Sequence, residues 1–413
     1  MSPGRHAPVI PGTSVQEQLD SRILHSVRER ALAAGGELDT ITLAGAIHDS
    51  GVALGSYGAR ASLKSLQDEV AGLSILEQFA APEGVTDVLV DGQGQVWTDS
   101  PHGLALTGFR FSSPEEVRNL AVHLAALAGR RLDAANPFMD MSVKNYRVHA
   151  VLPPIATEGP LLSIRVKVQN RLSLSEVLAH APEFWRTLLA EVLARRLNFL
   201  ITGGTGSGKT TLLQAMLAEV DPDQRLVIIE DSHELMIDHP HVVGLQTRTA
   251  NVEAAGRIDL QDLVIQALRM RPDRLIVGEC RGAELRDFLA AMNTGHQGAA
   301  GTLHANNPEA VPARLAALGA LAGWGLQATS LQAASAVDLV IHMSRQETGV
   351  RSPVALGVLA TDSQDRLLVS PLIDSGSASS PDAHGLQILG QKLGQQVARE
   401  VERWTRSRNF LGE

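Results

Sequence analysis

The run Leu197-Asn198-Phe199-Leu200-Ile201-Thr202-Gly203-Gly204-Thr205-Gly206-Ser207-Gly208-Lys209-Thr210-Thr211 decides the fold. It opens as a short apolar strand, continues as G-x-x-x-x-G-K-T, and leads into Leu212 to Val220, which has helical periodicity. Strand, glycine-rich loop and helix in that order turn a text match into a structural statement. The glycines let the backbone curl until several N–H groups converge on phosphate oxygens. The start of the helix adds its positive end. Lys209 supplies a mobile cation for the β- and γ-phosphates, and the Thr210 hydroxyl can ligate Mg²⁺. The predicted nucleotide-binding set is therefore Gly203, Gly204, Thr205, Gly206, Ser207, Gly208, Lys209, Thr210 and Thr211. A glycine-rich turn with no ligand is the bland alternative, and the complete motif in its strand–helix setting argues against it. No N-K-x-D guanine-reading motif accompanies it, so ATP is favoured over GTP.

At 413 residues the chain exceeds the size at which one hydrophobic core keeps growing, so two or three domains are expected. No stretch supplies the roughly 18 uninterrupted apolar residues of a membrane span, and Met1 to Gly12 lacks the apolar centre of a signal peptide. A single cysteine, Cys280, cannot form an intrachain disulfide, which suits a reducing cytoplasm. The formal charge of −9 argues against broad nucleic-acid affinity, so no direct nucleic-acid partner is expected. No Cys/His metal-ligand spacing appears.

Working outward from the loop, residues 1–13 have the Pro/Gly/Ser composition of a disordered tail, and 14–80 show interrupted helical periodicity, expected as a helical arm. Residues 81–170 are expected to form a small α+β domain. Thr86 to Val90 and Gln95 to Thr98 flank Asp91-Gly92-Gln93-Gly94 as strand, turn and strand. Pro114 to Leu127 is a helix capped by Ser113 with Glu115 and Glu116 at its positive end. Tyr146 to Leu152 and Leu161 to Val168 are further strands, and Gln169 to Ser175 is the linker, with Ser175 as a helix cap. From 176 to 361 strands alternate with helices, predicting a parallel sheet with crossovers. The strands are Phe199–Thr202, Leu226–Ile229, Val242–Gln246, Leu275–Val277, Ala300–Leu303 and Asp338–His342. Residues 362–413 are turn-rich and then amphipathic, expected as a C-terminal appendage.

Hydrolysis at a phosphate loop needs an acidic residue to hold the metal's water or orient the attacking one. Leu226-Val227-Ile228-Ile229-Glu230-Asp231-Ser232-His233-Glu234 and Arg271-Pro272-Asp273-Arg274-Leu275-Ile276-Val277-Gly278-Glu279 are apolar strands ending in carboxylates. Such strand ends are where open α/β sheets bind ligands. A third block is Asn293-Thr294-Gly295-His296-Gln297-Gly298 followed by Gly301-Thr302-Leu303-His304-Ala305-Asn306. Alone, each is weak, because strand-end acids are commonly solvated caps and a lone histidine is commonly structural.

Together with Leu268-Arg269-Met270-Arg271-Pro272-Asp273-Arg274 and Arg281-Gly282-Ala283-Glu284, these blocks resemble the secretion ATPases of type II and type IV systems. The branch they most resemble is the CpaF/TadA type that drives tight-adherence (Flp) pili. The blocks match its Walker A loop, Asp box, Walker B strand and His box, and the resemblance covers about Thr86 to Val358. It implies an α/β fold: a RecA-like P-loop NTPase core, a smaller α+β N-terminal domain and an N-terminal helical arm. It also implies a homo-hexameric ATP hydrolase using ATP and Mg²⁺. The enzyme would lie in the cytoplasm, held to the inner face of the plasma membrane through inner-membrane platform proteins. Arg147 and Arg165 match arginines of the smaller domain that reach the phosphates. Glu279 would hold the Mg²⁺ water shell beside Thr210, Glu230 would polarise the attacking water, and His296 and His304 would couple the site to motion.

There are departures from the family pattern. Gly204 stands where proline is common, Gln297 replaces an acidic residue, and Cys280 replaces a small aliphatic, expected as a packing residue. Gly278 stands where many NTPases have a metal-holding aspartate, which is this family's own habit. Met141-Ser142-Val143-Lys144-Asn145-Tyr146 replaces a Pro-Asp-Gly-type turn before Arg147. A conjugation-type or pilus-retraction motor would share all four blocks. A non-hydrolysing nucleotide-binding scaffold is disfavoured because Lys209, Thr210, Glu230 and Glu279 are all in place.

Overall fold

A computed structural model describes residues 72–166, 171–248, 256–346, 348–374 and 381–409. The chain divides into two compact units between Val168 and Gln169. The predicted tail and the predicted arm up to residue 71 lie outside the described residues. Residues 73–80 do not behave as an arm: Leu73, Leu76 and Ala80, the last two in a 3₁₀ turn and the short helix α1 (Glu77–Ala80), are buried in the first unit's core.

That unit is a six-stranded antiparallel sheet in the order β3-β2-β1-β6-β5-β4. Its strands are β1 (Asp87–Val90), β2 (Gln95–Asp99), β3 (Ala105–Arg110), β4 (Phe138–Val143), β5 (Tyr146–Val151) and β6 (Leu161–Val166). Helix α2 (Pro114–Leu127) buries Val117, Leu120, Ala121 and Leu124 against one face of the sheet. It forms where its cap predicts, with Ser113 accepting the Glu116 N–H at 3.3 Å. On β5, Val148 and Ala150 point into the core while Arg147 and His149 face out, the period-two alternation of a half-buried strand. In place of a Pro-Asp-Gly turn, β4 and β5 join through Lys144 and Asn145, with Val143 paired to Tyr146 and Lys144 at φ +47°.

The second unit begins with α3 (Leu174–Val177), whose cap is Ser173 rather than the expected Ser175. Ser173 and Glu176 form a reciprocal capping box. After α4 (Phe184–Ala194) comes an eight-stranded sheet in the order β14-β13-β12-β7-β11-β10-β8-β9. Six strands are parallel: β7 (Phe199–Gly203), β8 (Leu226–Glu230), β9 (Val242–Gln246), β10 (Arg274–Val277), β11 (Ala300–His304) and β12 (Leu339–Arg345). β7, β8 and β10 are buried at every position, as strands covered on both faces must be. Two apolar cores result, one on each face. Helix α5 (Lys209–Ala218) follows β7, and α6 (Leu260–Leu268), α7 (Glu284–Asn293), α8 (Val311–Leu321) and α9 (Leu326–Ala336) complete the layers.

The described residues after 361 pack into the second unit and do not stand apart as the expected appendage. β13 (Arg351–Thr361) pairs antiparallel with β12, and β14 (Leu367–Asp374) closes that edge. Helices α10 (Ala383–Leu393) and α11 (Gln395–Asn409) follow, and Leu389, Leu393, Ala398 and Val401 are buried in the core that also holds the phosphate-loop strand. Trp404 stacks on Phe184 of α4 with ring centroids 4.5 Å apart.

Candidate functional site

The parallel strands bring Gly203, Glu230, Val277 and His304 to one edge of the sheet, their carboxyl ends. β7 lies between β12 and β11: Thr202 stands opposite His342 and Leu303, and Gly203 opposite Met343 and His304. Gly206 and Gly208 take φ of +70° and +93°, and Gly203 +149°. A side chain on Gly203 would lie 2.4 Å from the Met343 carbonyl oxygen, so glycine there is a requirement of space. The loop forms the expected cradle at the start of α5. Lys209 Nζ donates to the Gly203 and Gly204 carbonyls at 3.0 and 2.7 Å. Burial draws its pKa down, Glu279 opposes this, and Arg281 adds to it.

Glu279 follows β10 and is paired to Arg281 Nη2 at 2.5 Å, and Arg281 also reaches Asp231 at 3.6 Å. Glu279 raises the Arg281 pKa through that bond. Glu284 is buried, and its Oε1 accepts the main-chain N–H groups of Arg281 and Gly282, fixing the turn after Glu279. Thr302 of β11 is buried too, and its hydroxyl donates to the Gly278 carbonyl at 2.6 Å.

Glu230 differs from Glu279 in kind. It is 6% exposed, and its Oε1 already accepts the N–H groups of Glu234 and Leu235 at 3.1 and 3.0 Å. Oε2 lies 3.4 Å from His233 Nδ1. Burial raises its pKa, while those N–H groups and His233 oppose the rise. A carboxylate so engaged organises the turn over 231–235. Oε1 is thus committed to the turn, and only Oε2, with His233 beside it, remains for the expected task of polarising water. Gly278 makes room for it: a Cβ there would meet Glu230 Cγ at 2.8 Å. No aspartate would fit where other NTPases keep one.

His304 closes β11 beside Gly203 and is in place at the edge. His296 is not. It precedes β11, at the opposite end of the same strand, with Nδ1 3.3 Å from the Ala291 carbonyl at the end of α7. Cys280 is buried, as expected of a packing residue, and burial raises its thiol pKa well above the ordinary range. Arg147 and Arg165 are direct cross-strand neighbours on the outer face of the first sheet, and Asp87 stands opposite Arg165 on its other side. Arg165 Nε donates to Asp87 at 3.2 Å. Like charges face to face cost free energy, and the Asp87 pair offsets part of it.

Sequence reasoning missed two residues. Arg351, at the start of β13, donates from Nε to the Gly206 carbonyl at 2.8 Å and so braces the loop from outside the motif. His342 is 6% exposed and lies 2.9 Å through Nδ1 from Thr202 Oγ1. A histidine inside an otherwise apolar strand was the available signal for it. Ser207 Oγ is buried without a hydrogen-bond partner among the described residues, a polar atom inside the loop that fits a phosphate cradle.

This is the edge of an open α/β sheet carrying a phosphate loop, the arrangement of P-loop nucleotide-binding proteins. The family model of type II/IV secretion system proteins matches residues 69–357, and the chain belongs to that family. It is 46% identical over 346 residues to a putative conjugal transfer protein of Mycobacterium tuberculosis, spanning 81% of this chain and 98% of the relative. It is 30% identical over 275 residues to the conjugal transfer protein TrbB of Rhizobium radiobacter, spanning 65% and 81%. Among solved structures, the pilus retraction motor PilT with bound ADP superposes with a TM-score of 0.53 at 20% identity, over 80% of this chain and 89% of that one. That likeness shows the RecA-like fold. Among the described residues, no helix is long and apolar enough to cross a membrane.

Proposed function

We propose that the chain is a Mg²⁺-dependent ATP hydrolase that works as a homo-hexamer and powers assembly of tight-adherence (Flp) pili of the CpaF/TadA type. The observation that carries the hydrolase reading is the glycine cradle holding Lys209, with Glu279 following β10 at the same carboxyl edge of the sheet. Lys209 would leave the loop carbonyls for the β- and γ-phosphates. Thr210 and Glu279 would hold Mg²⁺, which when bound offsets charge gathering on the phosphate oxygens. Glu279 also takes the role expected of Glu230, accepting the hydrogen bond that orients the attacking water. His304 stands where it can answer the loss of the γ-phosphate. Arg147 and Arg165 would act on nucleotide from the first unit, stabilising charge on its outer oxygens. The subunits would sit in the cytoplasm against platform proteins of the inner membrane.

A second reading, a conjugation motor, draws on the likeness to the putative conjugal transfer protein of M. tuberculosis and to the conjugal transfer protein TrbB of R. radiobacter. Lys209→Ala is expected to abolish hydrolysis and weaken ATP binding. Glu279→Gln is expected to bind ATP and hydrolyse it at least about a hundredfold more slowly. Normal turnover in both variants would refute the site. Counting surface pili and DNA transfer in a deletion strain separates the two motors.

A further inference from the structure

Two arginines outside every sequence motif flank the turn between β12 and β13, next to the phosphate loop. β12 pairs with the phosphate-loop strand until Met343 stands opposite Gly203, and then runs on through Ser344 to Arg345. The chain turns back there, with the Gln346 N–H donating to the Val350 carbonyl at 2.8 Å, and Arg351 opens β13 directly across from Arg345. Both arginines lie on the loop's side of this hairpin. A Cβ on Gly208 would meet Arg351 Cδ at 3.3 Å, Met343 Cε at 3.4 Å and Arg351 Cβ at 3.5 Å, so Met343 and Arg351 cover that glycine. Residues two apart on a strand share a face, and so do residues directly opposite across a pair. Both rules put Arg345 on the face that Met343 and Arg351 present to Gly208. Arg351 Nε donates to the Gly206 carbonyl at 2.8 Å, which pins the guanidinium to the loop and leaves both Nη groups to donate elsewhere.

Like charges directly opposite one another cost free energy, and an anion between them relieves that cost. Among the described residues no carboxylate is paired with either arginine, in a chain whose net charge is −9. Ser207 Oγ, buried in the same loop without a partner among the described residues, is an independent sign of a ligand there. The sheet order says which end of that ligand the arginines meet. β7 has β12 on one side and β11, then β10, on the other, so the hairpin and Glu279 flank the loop from opposite sides. A nucleotide whose γ-phosphate lies towards Glu279 runs its α-phosphate towards β12. We propose that Arg345 and Arg351 form a clamp for the α-phosphate end of the nucleotide, with Arg351 keeping the Gly206 carbonyl on Nε and giving its Nη groups to the phosphate. The planar guanidinium fork suits that double task. The inference rests on the ATP hydrolase reading above, since Glu279 marks the γ end.

The test uses the full chain and needs no turnover. Kd values for ADP and for a slowly hydrolysed ATP analogue are measured by calorimetric titration. The chains compared are wild type, Arg345→Ala, Arg345→Glu and Arg406→Ala, the last a control of equal charge change at an arginine paired with Glu402 on α11. Arg345→Ala is expected to weaken both nucleotides about fivefold and by the same factor, because ADP and ATP share the α-phosphate. Arg345→Glu sets a negative charge against that phosphate and should weaken both about twentyfold or more, while Arg406→Ala stays within about twofold. Added salt should weaken wild type more than Arg345→Ala. Wild-type Kd values for both nucleotides in Arg345→Glu would overturn the clamp. A loss for the ATP analogue alone would overturn its place at the α end, and an equal loss in Arg406→Ala would reduce the effect to general charge. A wild-type chain that binds both nucleotides yet hydrolyses no ATP would sink the hydrolase reading instead, and the titrations would still decide the clamp.

Discussion

Gly278→Ala tests how the two acidic strand ends are built. Gly278 follows β10, its N–H donates to the Ile229 carbonyl at 2.8 Å, and its φ is not positive, so alanine meets no backbone strain there. The obstacle is space. The added Cβ would sit 2.8 Å from Glu230 Cγ, whereas carbons in contact ordinarily lie about 3.5–4.0 Å apart. Cγ must retreat by roughly 1 Å. That carries Oε1 away from the Glu234 and Leu235 N–H groups, now at 3.1 and 3.0 Å, to beyond hydrogen-bonding reach. Overpacking costs about 1–3 kcal/mol, and each N–H left unsatisfied adds about 1–3 kcal/mol. A loss of about 3–9 kcal/mol is expected, a large part of the ~5–15 kcal/mol that holds an ordinary domain together.

The assay is denaturant unfolding of wild type, Gly278→Ala, Glu230→Ala and the double variant, read by exchange of the β8 and β10 amides. Glu230→Ala alone should be costly because it abandons the same two N–H groups. Adding Gly278→Ala to it should cost less than about 1 kcal/mol, since the obstructing Cγ is gone. Equal cost of Gly278→Ala in both backgrounds, or no cost in wild type, would refute the packing argument.

Arg351→Ala removes the Gly206 brace and should weaken ATP binding about fivefold, measured by titration, with little help from Lys, whose ammonium lacks the planar fork. For pH, the His342 pKa is depressed in the folded chain, so its contribution is intact above the ordinary imidazole value of about 6.5 and is lost as pH falls through the folded value. Stability titrations of wild type and His342→Gln should diverge only on that acid side, and parallel curves would contradict it. Arg165→Ala should bind ATP yet hydrolyse it about 10³-fold or more slowly. Mixed with wild type in the proposed ring, it should lower activity more than dilution does, and linear loss from co-assembled chains would exclude coupling through this arginine.

Much of the second unit is legible because physics writes it locally. Phe199–Thr202 and Leu226–Ile229 are unbroken apolar runs, and runs of that kind form strands covered on both faces. Asp259 with Asp262 makes the cap of α6, whose start the sequence marks. β13 and β14 escape notice because Pro353, Gly357 and Pro371 look like breakers. Pro353 pairs with Met343 just past a register shift, and Gly357 sits at another, where a Cβ would come 2.3 Å from Val369 Cγ1. At bulges these residues are tolerated, and the strand continues. β3 and β4 are edge strands that leave Leu106 and Phe138 exposed, so neither shows a clean alternation. In the site, the loop and both acidic strand ends are legible from motif and position. The split between Glu230 and Glu279 is not, because it depends on which lone pairs the surrounding turns already occupy.

The two histidines of the third block show the same limit and what lies beyond it. Sequence spacing groups them, yet β11 runs straight between them, so His304 stands at the nucleotide edge and His296 at the far one. A strand advances about 3.3 Å per residue, which puts the two ends of this five-residue strand about 13 Å apart. Only His304 can meet a phosphate held by Lys209 in the same subunit. His296 instead touches the end of α7, the helix that begins at Glu284, whose carboxylate fixes the turn carrying Arg281. Near Glu279, Thr302 of β11 donates to the Gly278 carbonyl, and Glu284 at the start of α7 fixes the turn after it. His296 so placed argues against a part in cleaving the bond within its own subunit, and His296→Ala should leave single-turnover hydrolysis near wild type, which a quench-flow measurement checks.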